Sequence, residues 1–232
     1  SGYIINTVGN GELTWETQKQ LDLGIVFGVF NNRITGSFVY FRRESDKLLF
    51  DRPLPGSTSI NVISDNTGGV KNYGFEIELN SVNLRRKNFE WRTSINITRL
   101  SNVITTPAPG TTQVKGGSWY DWLIQEYAGV DAADGLPMWY MDDPNDPGKR
   151  ITTKNYNQAT RYIVGNRLSD YTGGIFNTLR YKNFELNILA SFALGGKLYD
   201  VDYAGLMGAF NTGSLGFNSH VDILNRWQSP DN

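Results

Sequence analysis

The sequence predicts an all-β fold, namely a segment of an antiparallel transmembrane β-barrel with about six or more strands and long extracellular loops. Three observations lead to this prediction. A hairpin made of two alternating apolar and polar runs, each about ten residues long, occurs three times. The turns inside the hairpins are short, whereas the segments between hairpins are long. Large aromatic residues stand beside the short turns.

The first hairpin covers residues 20–42. Asn31 and Asn32 tolerate positive φ, so they can close a type I′ turn. This turn sets a register in which apolar residues of both strands share one face. The expected pairs are Leu23 with Tyr40, Ile25 with Phe38, Phe27 with Gly36, and Val29 with Ile34.

The second and third hairpins cover residues 70–99 and 171–194 and repeat the pattern. In the second, the turn is expected at residues 85–88 or close to them, and its register stays open because loops of three and five residues both preserve the facing. In the third, Lys182 and Asn183 are expected to close the same type of turn as Asn31 and Asn32. That turn pairs Leu179 with Leu186, Arg180 with Glu185, and Thr178 with Asn187.

The apolar face of these hairpins can meet lipid or a protein core. About 9–11 residues suffice for a tilted strand to cross a bilayer, and lipid offers no partner to backbone polar groups, so crossing strands must form a closed barrel. The residues predicted to face lipid are Leu23, Ile25, Phe27, Phe38, Ile77, Ile95, Leu186 and Ile188. Those predicted to face the lumen, where they would tune solute passage or solvate the wall, are Glu76, Glu78, Glu90 and Arg92. Alternation alone fits a soluble β-sandwich equally well, so a secreted carbohydrate-binding module is the alternative.

The distribution of loop lengths favours the barrel. The long connections are residues 50–69, 100–161 and 195–232, and they are predicted to be extracellular loops. Outer-membrane barrels have short periplasmic turns and long extracellular loops. Phe30, Phe89, Tyr181 and Phe184 flank the short turns, where an interfacial aromatic girdle would lie. A sandwich does not require this segregation.

Composition excludes several other classes. The chain of 232 residues is 39% hydrophobic, and no apolar run approaches the length of a spanning helix. Its net charge of −1 gives no electrostatic footprint for nucleic acid. The absence of cysteine removes disulfides, thiol catalysis and cysteine-based metal sites. We expect the chain to be an internal piece of a longer protein, because it has no signal-like segment.

Aromatic residues in the longest loop are the main candidates for binding. They could stack on sugar rings or contact a partner protein, or they could form the core of a folded loop. These residues are Trp119, Tyr120, Trp122, Trp139 and Tyr140.

No catalytic, cofactor or metal site is predicted. Asp142, Asp143, Asn145 and Asp146 offer oxygen ligands that Ca²⁺ prefers, but their spacing fits a solvated turn better, as does that of Asp131 and Asp134 before Gly135. His220 is the single histidine and is expected in a surface loop, without the partners of a catalytic triad. No pair of carboxylates marks a glycoside hydrolase.

Several ordered motifs together resemble one family, the SusC/RagA-type TonB-dependent outer-membrane transporters. The motifs are residues 13–24 (LTWETQKQLDLG), 48–55 (LLFDRPLP), 72–76 (NYGFE), 126–140 (EYAGVDAADGLPMWY), 194–200 (LGGKLYD) and 225–232 (NRWQSPDN).

The resemblance implies a large barrel with an N-terminal plug in the outer membrane of a Gram-negative bacterium. It implies uptake of oligosaccharides or peptides with energy from TonB, and a SusD-like surface lipoprotein as a lid. Residues 1–232 would then be the C-terminal part of the barrel, without the plug and the last strands.

Overall fold

The computed structural model describes residues 9–58, 62–208 and 218–230, and the chain divides into two compact units. Unit 1 comprises residues 1–121 and 166–196, and unit 2 comprises residues 122–165 and 197–232. The strands, in chain order, are β1 (Thr17–Val29), β2 (Ile34–Asp46), β3 (Leu49–Pro53), β4 (Val62–Asn66), β5 (Gly69–Arg86), β6 (Phe89–Thr106), β7 (Asp121–Gln125), β8 (Tyr127–Val130), β9 (Pro137–Asp142), β10 (Arg150–Thr153), β11 (Arg161–Asn166), β12 (Tyr171–Tyr181) and β13 (Phe184–Leu194). Among the described residues, no helix combines the length and apolar character needed to cross a membrane.

Unit 1 is built on a six-stranded sheet in the order β1-β2-β5-β6-β12-β13, in which all neighbouring strands are antiparallel. The predicted registers of the first and third hairpins are confirmed. Ile25 lies opposite Phe38, and Leu179 lies opposite Leu186. Beside this sheet, β3 and β4 form a separate hairpin within the predicted loop 50–69.

The tight turns follow the backbone preferences of asparagine only in part. Asn31 and Asn32 have φ of 54° and 60°, as the predicted type I′ turn requires, and Arg33 N donates to Phe30 O at 3.2 Å. Phe30 also has a positive φ of 54°, which the prediction did not include. The expectation of the same turn at residues 182–183 is wrong. Lys182 has a φ of 51° but Asn183 does not have a positive φ, whereas a type I′ turn requires a positive φ at both central residues.

The register of the second hairpin combines a tight turn with a bulge. Arg86 lies opposite Phe89, which leaves Lys87 and Asn88 as a two-residue turn. A register shift between Val82 and Leu84 then places one extra residue, Asn83, in β5. Turn and bulge together have the facing of a three-residue loop, so the apolar residues of both strands stay on one side.

Strands β5 and β6 extend beyond the predicted hairpin 70–99, since β6 continues to Thr106 rather than ending near residue 100. The pairing persists because residues 100–106 lie along the first residues of β5. Apart from glycines, the buried residues that the structure describes are Phe41, Asn102, Ile104 and Ala108. The first three lie on the Glu78 side of the sheet in this region, and Ala108 follows β6. The chain then folds back, with Gly117 O accepting from Ile104 N at 2.8 Å.

Unit 2 contains a three-stranded sheet in the order β10-β9-β8 and the pair β11-β7. The predicted loop 100–161 therefore contains the end of β6 and four short strands, β7 to β10. The predicted loop 195–232 contains helix α1 (Val201–Leu206) and a 3-10 helix at Val221–Asn225, and residues 209–217 and 231–232 lie outside the described residues.

Candidate functional site

The structure places all eight residues predicted to face lipid on one face of the six-stranded sheet. Ladder partners share a face, so a row of opposing residues can be followed across the sheet. One such row contains Ile25, Phe38, Ile77, Ile97, Gly173 and Phe192. The side chains are open to the surroundings, with Ile25 65% and Leu186 56% exposed. Contiguous apolar surface of this extent is not left to water in soluble monomers.

Two glycines on the apolar face lie beneath phenylalanine rings. A Cβ at Gly36 would lie 2.8 Å from the ring of Phe27, and one at Gly173 would lie 2.8 Å from the ring of Phe192. In each case the ring belongs to the residue opposite the glycine in the ladder. The rings therefore close the gaps that the glycines leave in the apolar surface.

The opposite face is polar and neutralises most of its own charges. Glu90 accepts from Arg85 Nε and Arg92 Nε, each at 2.7 Å. Arg180 Nε lies 2.6 Å from Glu185 Oε2 on the next pair of strands. The residues predicted to face the lumen, Glu76, Glu78, Glu90 and Arg92, all lie on this face. This face therefore carries charges that largely neutralise one another.

A polar cluster interrupts the apolar face near the short turns. Asn177 Oδ1 accepts from Thr93 Oγ1 at 2.7 Å and from Trp91 Nε1 at 3.0 Å. Asn83 Nδ2 donates to Thr93 Oγ1 at 2.6 Å, and Asn83 Oδ1 accepts from Ser81 at 2.9 Å. Sequence reasoning considered only the apolar residues of this face, so it missed the cluster. Its members hydrogen-bond to one another, which is what polar groups would need if this face meets lipid.

The aromatic residues beside the short turns form a row. Phe89 lies opposite Tyr181, which lies opposite Phe184 on the next strand. These side chains share the apolar face and remain open, with Tyr181 51% and Phe184 77% exposed. This is the arrangement of an interfacial girdle, in which rings lie at the headgroup level.

The loop aromatics do not form one cluster within either unit. In unit 1, Trp119 packs against Phe50 at 5.8 Å between ring centroids and is 42% exposed. Its backbone N donates to the buried Asn102 Oδ1 at 2.8 Å. Tyr120 is 37% exposed, and the Arg167 guanidinium lies 5.7 Å from its ring centroid.

The three remaining loop aromatics belong to unit 2, where each has a protein partner. Trp122 Nε1 donates to Lys197 O at 2.8 Å. Trp139 meets Tyr156 edge to face at 5.2 Å, and Tyr140 has the Arg150 guanidinium at 5.8 Å. Trp139 and Tyr140 are adjacent in β9, so their side chains point to opposite faces.

Unit 2 also has an open cleft of about 530 Å³ that sequence reasoning missed. Trp227 lies on one side, with its Nε1 donating to Ala132 O at 3.1 Å and its ring packed where a Cβ of Gly135 would project. On the other side, Tyr203 donates to Asp222 Oδ2 at 3.1 Å, and this hydrogen bond raises the pKa of Tyr203. Residues 225–227, which line this cleft, were noted in the sequence only as part of a family motif.

The acidic residues of unit 2 lie in turns. Asp131 and Asp134 are turn residues, as predicted, and each accepts a backbone N–H two residues on. Asp143 accepts from Asn145 N at 2.9 Å in the turn between β9 and β10. In the part of the chain that the structure describes, no three His, Asp or Glu side chains are grouped to hold a metal ion.

His220 begins the 3-10 helix at Val221–Asn225. Its Nδ1 accepts from Asp222 N at 3.1 Å, and its ring meets Tyr203 at 5.0 Å. The expectation of a plain surface loop position is therefore too simple, because the imidazole is partly buried and caps a helix.

Comparison with known proteins shows which family has this architecture. Residues 1–227 match the family described as TonB dependent receptor-like, beta-barrel. TonB-dependent receptor P3 of Formosa agariphila is 33% identical over 259 residues, covering 100% of this chain and 25% of that protein. TonB-dependent receptor SusC of Bacteroides thetaiotaomicron is 26% identical over 212 residues, covering 82% of this chain and 20% of that protein.

A solved structure described as the RagAB peptide transporter gives the same result at the level of the fold. It superimposes with a TM-score of 0.77 at 26% identity, covering 97% of this chain and 26% of that chain. The chain therefore spans about a quarter of the length of the relatives it matches. These matches show that the chain belongs to the TonB-dependent receptor family and forms part of its β-barrel.

Proposed function

We propose that this chain is a section of the wall of an outer-membrane importer of a Gram-negative bacterium. The observation that carries the proposal is the two-faced sheet, with a broad exposed apolar face on one side and mostly paired charges on the other. Such a wall separates lipid from an aqueous lumen. The alternative of a soluble β-sandwich module is set aside, because the chain belongs to a barrel family.

The contribution of these residues to transport is passive. The wall excludes lipid from the lumen, and the loops offer contact surfaces, so no step requires a covalent intermediate or a proton transfer by this chain. The solute would be an oligosaccharide or a peptide, and similarity to the RagAB peptide transporter supports the peptide. Energy from TonB would act through other parts of the longer protein.

The loop aromatics would contact the solute or a SusD-like lid lipoprotein. Trp119 and Tyr120 are the best candidates because both remain partly exposed in unit 1. Aromatic side chains in such positions often dominate binding energy, since they bury a large area at low entropic cost. Trp122, Trp139 and Tyr140 would support the folded part of unit 2, to which their contacts belong.

The test uses the full-length protein, purified from outer membranes with an affinity tag. We expect a SusD-like lipoprotein to co-purify, and a peptide or oligosaccharide from a supplied mixture to be retained and identified by mass spectrometry. Replacing Trp119 and Tyr120 together by Ala should weaken lid or solute retention at least about tenfold. Phe184→Ala, which removes an exposed aromatic at the short-turn end, is the control. Equal losses in both variants would contradict the assignment of the loop aromatics.

A further inference from the structure

A group of three cations at the short-turn end of the six-stranded sheet makes no ion pair within the described residues. We call Arg86, Lys87 and Lys182 the turn cluster. They come from the turns of two neighbouring hairpins, which are joined by a hydrogen bond from Lys182 N to Asn88 O at 2.9 Å. An open cleft of about 660 Å³ between the turns is lined by all three residues. The cluster is therefore concentrated at one place on the edge of the sheet.

The turn cluster differs from the neighbouring cations of the polar face. Arg85 and Arg180 are paired with Glu90 and Glu185. Arg86, Lys87 and Lys182 make no ion pair within the described residues. Glu90 also lines the cleft, but its charge is already balanced, because Arg92 binds it as well. The cleft therefore has an excess of positive charge.

The position of Arg86 connects this charge to the apolar face. Arg86 lies opposite Phe89 and so belongs to the aromatic row with Tyr181 and Phe184. The next row toward the middle of the sheet consists of Leu84, Trp91, Leu179 and Leu186. An amphiphilic anion would fit both features, with its charge in the cleft and its chains along the rows above.

We propose that the turn cluster binds the headgroup of an anionic phospholipid of the periplasmic leaflet. Guanidinium and ammonium groups donate to phosphate oxygens, and long basic side chains beside an aromatic belt reach the headgroup level. The acyl chains lie against Leu179 and Leu186. The inference rests on the proposed function only for orientation, because short turns of outer-membrane barrels face the periplasm.

The experiment measures lipid binding by the full-length protein in detergent, by native mass spectrometry during titration with phosphatidylglycerol. Each basic residue near a membrane surface changes affinity by about fivefold, so Arg86→Gln with Lys182→Gln should weaken binding by about 25-fold. The control is Lys71→Gln with Arg99→Gln. Lys71 and Arg99 lie on the same face of the sheet as Arg86, at the opposite end of the strands. Their replacement removes the same amount of charge as the test pair does.

Competing ligands separate the possible sources of phosphate. Phosphatidylcholine should bind more weakly than phosphatidylglycerol, and inorganic phosphate at millimolar concentration should not displace the lipid. Displacement of the lipid by inorganic phosphate would overturn the proposal in favour of a free-anion site. Preference for lipid A over phosphatidylglycerol would overturn the assignment of the cluster to the periplasmic leaflet. An equal loss in the control pair would show that only net charge matters, which also overturns it.

Folding failure would not leave the proposal open. Folded protein migrates differently on a gel before and after boiling, so each variant is checked in this way first. If the Gln pair does not fold, Arg86→Lys with Lys182→Arg should retain phosphatidylglycerol, because both charges remain. Binding by the native protein should also fall steeply with added salt, whereas binding that salt leaves unchanged would contradict a charged headgroup site.

Discussion

Ile77 and Glu78 are neighbours on β5, yet they meet different surroundings because successive side chains of a strand point to opposite faces. Replacing Ile77 by Arg should lower the free energy of unfolding in a bilayer by about 2–4 kcal/mol if the site lies near the midplane. Glu78→Gln should cost little, since Gln can still accept the hydrogen bond from Asn80. Denaturant unfolding of the full-length barrel in lipid vesicles measures both changes.

Ile25 and Val26 provide a matched control for this prediction. Both are apolar residues of β1 and both are exposed, but only Ile25 lies on the apolar face, which is predicted to meet lipid. Ile25→Arg should destabilise the barrel much more than Val26→Arg, because Val26 faces the polar side. Equal costs at the two positions would contradict the assignment of the faces.

Gly74 shows a second constraint at the scale of one residue, namely the close approach of neighbouring strands of the sheet. A Cβ at this position would collide with Arg99 O and lie 2.9 Å from the ring of the buried Phe41. Gly74→Ala should therefore destabilise the protein by about 1–3 kcal/mol. Gly24→Ala is the control, because its Cβ would meet Val39 at an ordinary 3.6 Å. Thermal unfolding of both variants gives the comparison, and a Gly74→Ala variant as stable as Gly24→Ala would refute this explanation.

Individual residues also show where prediction from sequence ends. The pairs around Asn31 and Asn32 could be predicted, because a type I′ turn and a two-residue period fix the register. The hydrogen bonds of Asn177 could not be predicted from the sequence. Its partners Trp91 and Thr93 are more than eighty residues away in sequence and become its neighbours only when β6 pairs with β12.

At the scale of an element, the turn between β8 and β9 depends on charge. Lys154 Nζ lies 2.6 Å from Asp131 Oδ2 and 2.7 Å from Asp134 Oδ2. Its hydrogen bonds lower the pKa of both carboxyls, and they raise the pKa of Lys154 in turn. Groups whose pKa is lowered by folding stabilise the folded state above their ordinary pKa, and this is lost as the pH falls through the lowered values.

The turn should therefore stay folded from neutral pH down to about pH 4, near the ordinary pKa of Asp, and should open locally only below that pH. Hydrogen exchange at Gly135 N, which donates to Asp131 O at 2.9 Å, reports the change once intrinsic rates are corrected. Lys154→Met should speed exchange already at pH 6, whereas Lys149→Met should not. Slow exchange in Lys154→Met at pH 6 would contradict the role of this lysine.

Elements differ in how far the sequence predicts them. Hairpins of the six-stranded sheet follow from local alternation and turn residues. The register of the second hairpin could not be predicted from the sequence. A bulge at Asn83 changes the number of residues between paired positions without changing the alternation of apolar and polar residues. The strands of unit 2 are short and irregular in composition, so residues 121–166 show no period from which β7 to β11 could be read.

At the scale of the whole molecule, membership of the TonB-dependent receptor family makes the full-length protein an outer-membrane barrel candidate. It should fractionate with outer membranes, require detergent for extraction, and migrate faster on a gel before boiling than after. A closed barrel resists detergent at room temperature, because its strands have no free edge. Recovery of the full-length protein as a soluble monomer would contradict the barrel.

The two faces of the six-stranded sheet are proposed to meet lipid on one side and water on the other. The chain has no cysteine, so single cysteines introduced at residues 75–80 can each carry a spin label without competing sites within it. In vesicles, collision rates with oxygen, which concentrates in lipid, and with a water-soluble nickel chelate are then measured. Labels at Phe75, Ile77 and Leu79 should favour oxygen, and labels at Glu76, Glu78 and Asn80 the chelate. A profile without this two-residue alternation, or with the two sets reversed, would contradict the account.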